Sequence, residues 1–173
     1  MLLYSGTEVW DMQLQTLTEF LEFIDSKLLQ IESEASESFD PDAMGLFDRG
    51  EYFIGIGFVA VQQHLNESLI EKYLKKNDAF SLGPVHSSNA SSISIINAAA
   101  NWWKHESEWQ RLEQTPNNTY KTIMGISEQQ DYALSNVLAS FSDSDELSFT
   151  KSIIPCVEQW TKEIMEEAIN RKK

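Results

Sequence analysis

The sequence predicts an all-α protein, a single-domain helical bundle over residues 1–173 with about five helices, three of them long. Three observations carry this. Apolar residues recur at steps of three and four along separate stretches, the period of one helix face. Seven glycines and four prolines are few for the many turns of a β-sandwich. No stretch reads as a strand. With 42% hydrophobic and 11% aromatic residues in 173, the chain can fill one sizeable core.

The first element shows the pattern most clearly. Trp10, Leu14, Leu17, Leu21, Ile24, Leu28 and Ile31 form a stripe on a long helix, widened by Phe20 and Phe23. "SEASESFDPDAMG" then ends it with small, acidic and proline residues. The second helix is expected over about residues 51–75, with Ala60, Val61, Leu65, Leu69, Tyr73 and Leu74 at helical spacing. Its "GIGFVA" superficially matches a dinucleotide fingerprint, but that motif needs a strand before it and a second strand after. Gly55 and Gly57 are instead expected to let neighbouring helices come close.

"NDAFSLGPVHSSNASS" reads as a loop, and its last serines offer caps to a third helix over about residues 92–112. "EQTPNNTYKTIMGIS" reads as a second loop, followed by a shorter helix over 128–140. Ser148 is expected to cap the final helix, where Ile153, Val157, Trp160, Ile164 and Ala168 repeat the helical spacing and Pro155 falls near the first turn. The closing "NRKK" complements the negative end of that helix.

Charge is distributed unevenly. Residues 1–48 carry eleven acids against Lys27 alone, a net −10, and the other 125 residues carry only −4 of the total −14. Such a chain lacks the cations that a nonspecific duplex-DNA binder needs to displace counterions. Asp11, Glu22, Asp25 and Glu32 punctuate the first helix. They read either as a solvated face or as a partner-binding surface for a basic protein. One cysteine, Cys156, rules out an internal disulfide and reads as a small buried hydrophobe in a reducing, cytoplasmic setting. No apolar run approaches the roughly 20 residues that span a bilayer, so no membrane partner is expected. His64, His86 and His105 lack metal-ligand spacing, which predicts no zinc site; nothing specifies a cofactor, and His64 reads as a partly buried hydrogen-bonding residue.

The stretch "AAANWWKHESEW" carries the chemistry. On its helix Ile93, Ile96, Ala100 and Trp103 share the core stripe, and Asn97, Asn101 and His105 follow at intervals of four beside it. Lys104 and Glu108 are close to that row. An amide can orient, an imidazole can exchange protons near neutral pH, and an ammonium can steady a phosphate. Those are the parts of a metal-independent ribonuclease, with RNA as the expected substrate. Trp102, Trp103 and Trp109 read first as core and interface anchors. With Tyr52, Trp102 and Trp103 could instead line a small-molecule pocket between helices.

Within a helical chain of this size, "ANWWKHE" resembles the HEPN superfamily. Its signature places an arginine, a polar residue that is often asparagine, three variable residues and a histidine. Asn101 matches the polar position and His105 the histidine, whereas Ala100 stands at the arginine and leaves Lys104 as a substitute cation. The resemblance implies a homodimer with facing motifs. It implies either a ribonuclease of a toxin–antitoxin or anti-phage system, with Asn101, Lys104 and His105 as catalytic residues, or a relative that has lost catalysis. The other reading is a noncatalytic acidic protein, antitoxin-like, inhibitory or a nucleic-acid mimic, that docks a basic partner through its first helix.

Overall fold

The computed structural model describes residues 2–5, 8–69, 74–112, 117–144 and 146–172. It is all-α in class, and among the described residues it has seven helices rather than five, four of them longer than twenty residues. A two-stranded antiparallel ribbon precedes them: β1 (Leu2–Ser5) pairs with β2 (Glu8–Asp11) in a register that sets Leu2 opposite Asp11 and Leu3 opposite Trp10.

Helix α1 (Met12–Glu37) starts later than the stripe suggests. The Asp11 carboxylate accepts hydrogen bonds from the amides of Gln13 and Leu14. It thus caps α1 and leaves Trp10 in the strand. From Leu17 on, the sequence stripe is the buried face, with Leu21, Ile24, Leu28 and Ile31 in the core. Phe20 and Phe23 stay largely exposed. Helix α2 (Leu46–Glu67) begins five residues before the expected start at residue 51 and stops before Tyr73, which lies outside the described residues.

The two expected loops each hold a helix, α3 (Lys76–Phe80) and α5 (Asn118–Ser127). The Asn117 side chain accepts from the Tyr120 amide and so starts α5. Helix α4 (Ser92–Leu112) has its expected bounds, and α6 (Ala133–Ala139) is the core of the short helix expected over 128–140. Helix α7 (Phe149–Lys172) starts behind Ser148, whose hydroxyl accepts from the Lys151 amide. Pro155 sits in its second turn, one residue type short of a donor there.

Helix α2 is the centre of the packing: it lies against α1, α4 and α6, while α1 and α4 also reach α7. The two glycines explain part of this closeness. A Cβ at Gly55 would stand 2.2 Å from the Trp103 indole, and one at Gly57 2.5 Å from the Phe149 ring. Aromatic rings of α4 and α7 therefore rest directly on the α2 backbone. Among the described residues, no helix is long and apolar enough to cross a membrane.

Candidate functional site

The polar row of α4 is split between two environments. Its centre is Gln62 of α2, which is only 6% exposed. The Gln62 amide nitrogen donates to Asn101 Oδ1 at 3.0 Å and to Asn97 Oδ1 at 2.9 Å. Its oxygen accepts from Lys104 Nζ at 2.7 Å. A buried amide must find partners or lose free energy, and the α4 row supplies them. Partial burial lowers the affinity of Lys104 for its proton, and the nearby Lys76 charge adds to this.

His105 stands apart from that cluster. Its side chain is 46% exposed, and Nδ1 lies 3.2 Å from Glu108 Oε2, one turn along the same helix. The structure therefore brings Asn101 and Lys104 together on Gln62 and sets the imidazole beside Glu108 at the surface. Ala100, at the arginine position of the signature, is 0% exposed and part of the core. A long cationic side chain has no route to solvent from there without opening the α4 packing.

The tryptophans separate as well. Trp102 is buried with its ring 5.7 Å from that of Tyr120, whereas Trp103 packs edge-on against Tyr52 at 5.2 Å. They face different neighbours. The side chains of Trp10 and Trp109 lie outside the described residues.

The four acids of the first helix also divide. Asp25 is buried, and its carboxylate accepts from the Ser148 hydroxyl at 2.8 Å, the Phe149 amide at 2.8 Å, the Thr150 amide at 3.0 Å and the Thr150 hydroxyl at 2.6 Å. It caps α7 from across the bundle. Asp11 caps its own helix and sets Oδ2 3.4 Å from Nε2 of the buried His64. That pair lacks hydrogen-bond geometry; Nε2 meets the Ser68 hydroxyl at 3.4 Å instead, and among the described residues Asp11 Oδ2 and the other imidazole nitrogen, Nδ1, have no hydrogen-bond partner. Burial pushes the His64 imidazole towards its neutral form, and the Asp11 charge opposes this. Glu22 and Glu32 remain on the surface.

Two residues that matter were not singled out by sequence reasoning. Gln62 was readable only as a polar residue beside Val61 and Leu65, both buried. Glu51 accepts from the amides of Leu134 and Ser135 and from the Ser135 hydroxyl, and so caps α6. Nothing local marks either one, because each partner lies tens of residues away.

Cys156 is half-buried, and burial pushes its thiol up, away from a reactive thiolate. Among the described residues no group of three histidines, cysteines or acids is placed to hold a metal ion. Set against family models, curated proteins and solved structures, the chain matches none of them.

Proposed function

We propose that this chain is a noncatalytic, HEPN-like helical protein that binds a basic protein partner through the exposed acids of α1. The observation that carries the reading is the state of the signature positions. Asn101 and Lys104 are committed to the buried Gln62 amide, the arginine position is a core alanine, and the imidazole of His105 pairs with Glu108. A metal-independent ribonuclease needs a base and a cation converging on one phosphodiester. Here the available groups serve the α2–α4 contact instead.

Glu22 and Glu32 support the binding half of the proposal. Both are exposed on a helix whose surroundings hold most of the net charge, which suits capture of a basic protein such as a nuclease or toxin by an antitoxin-like module.

The test is a pair of assays on the intact protein. Incubated with RNA in EDTA, the wild type and His105→Ala should leave the substrate equally intact. Pull-down of basic proteins should weaken with Glu22→Lys and Glu32→Lys and be unchanged in His105→Ala. RNA cleavage that His105→Ala abolishes would restore the ribonuclease reading.

A further inference from the structure

A groove of about 650 Å³ runs between the C-terminal half of α1, the start of α2 and the segment around α6. Its size falls within the roughly 300–1,000 Å³ of ordinary ligand pockets. Leu28, Ile31 and Leu46 form an apolar floor that belongs to the core. Leu29 and Phe47 wall it and are 58% and 42% exposed. A single exposed leucine is ordinary, but two large apolar side chains bordering an apolar hollow make a continuous exposed apolar patch.

Glu32 and Glu146 line the groove, and the surrounding chain is acidic: residues 32–48 contain six acids and no base. The first cation after them, Arg49, is bound to Glu34 at 2.8 Å. The hydroxyl of Tyr132, which lines the groove, donates to Asp42 at 2.5 Å. Its pKa is pushed up to about 12 by that bond first, with the charges of Asp42, Asp48 and Asp131 adding to it. Glu146 is already paired with Lys151. Glu32 and Asp48 have no cationic partner among the described residues.

This charge selects the occupant. A second copy of the chain would bring the same acidic rim against itself, and an anionic membrane surface would be repelled in the same way. A neutral apolar molecule would use the floor and leave the carboxylates unmatched. A helix with apolar anchors at i, i+3 or i+4, and i+7 and with cations on its flanks satisfies both features.

We propose that the groove seats a cationic amphipathic helix of the partner protein. Its apolar residues rest on Leu28, Ile31 and Leu46, and its lysines or arginines face Glu32, which lines the groove, and the exposed Asp48 next to Phe47. The inference rests on the interaction-protein reading and narrows it to one place and one chemistry.

The test is selection of binders from a display library of random peptides about sixteen residues long, roughly 24 Å as a helix. Recovered sequences should be rich in lysine and arginine and carry apolar residues at helical spacing. A recovered peptide should lose at least about tenfold in affinity to Leu29→Asp or Phe47→Asp. It should lose about threefold to tenfold to Glu32→Lys at low salt, and less at high salt. Circular dichroism melts check that these surface variants stay folded.

Three results overturn the groove. Cationic peptides that ignore Leu29→Asp and Phe47→Asp but weaken with Glu22→Lys leave the acidic partner-binding face standing without it. Recovery of neutral apolar peptides alone removes the role of the rim. A selection that enriches no cationic peptide overturns the groove and the basic-partner reading together.

Discussion

The carboxylate of Asp25 takes hydrogen bonds from two hydroxyls and two backbone amides at the start of α7, so its removal strands several buried donors at once. Asp25→Ala should cost about 2–4 kcal/mol, the sum expected for a lost cap and unsatisfied partners of a charged group. Urea unfolding measures it, and a loss below about 0.5 kcal/mol would show that water replaces the carboxylate. His64 makes a second residue-scale prediction. Burial depresses its folded pKa below the ordinary 6.5. As pH falls below 6.5 the unfolded chain therefore takes up the proton before the folded one does. Stability should be full above that value and decline as pH drops towards the folded pKa, by at most about 1.4 kcal/mol per pH unit. Urea midpoints across pH 7.5 to 5.5 should show this fall in the wild type. His64→Gln should flatten it, because an amide does not titrate.

At the scale of elements, two helices are started by acids from other helices: Asp25 of α1 caps α7 and Glu51 of α2 caps α6. Glu51→Ala should therefore loosen α6 before it unfolds the bundle. Amide hydrogen exchange across Leu134–Leu138 should speed up about tenfold or more, while the amides of α1 and α4 keep their protection. These caps mark the limit of what local pattern reveals. The stripe from Leu17 to Ile31 was legible because burial on one face writes a period into the chain, and the α4 bounds were legible for the same reason. Helix α5 was not, since "NNTYKT" opens it with turn-forming polar residues whose helical meaning depends on Asn117 as a cap. The β-ribbon was hidden because Trp10 falls in phase with the helical stripe. In the candidate site, the row of Asn97, Asn101 and His105 was readable from spacing. That His105 meets Glu108 one turn along is again a matter of helical spacing, but that Asn101 turns to Gln62 depends on a residue thirty-nine positions away in sequence, which no periodicity encodes.

For the whole molecule, electrostatics acts in two opposite directions that a salt titration separates. The net charge of −14, with −10 in residues 1–48, makes the folded chain repel itself. The exposed pairs Arg49–Glu34, Lys151–Glu146 and Arg171–Glu167 oppose this only weakly, since such pairs contribute about 0–1 kcal/mol each. Screening should remove more repulsion than attraction. The Tm should thus rise between 10 mM and 300 mM NaCl, about 2–4 °C for each kcal/mol relieved in a chain of this size. Over the same range the affinity for a cationic peptide should fall, because the acids at and around Glu32 are screened along with everything else. A Tm that falls with salt would mean that the surface pairs dominate after all. A peptide affinity that does not fall would place binding on the apolar floor alone and leave the acidic rim as a device for solubility.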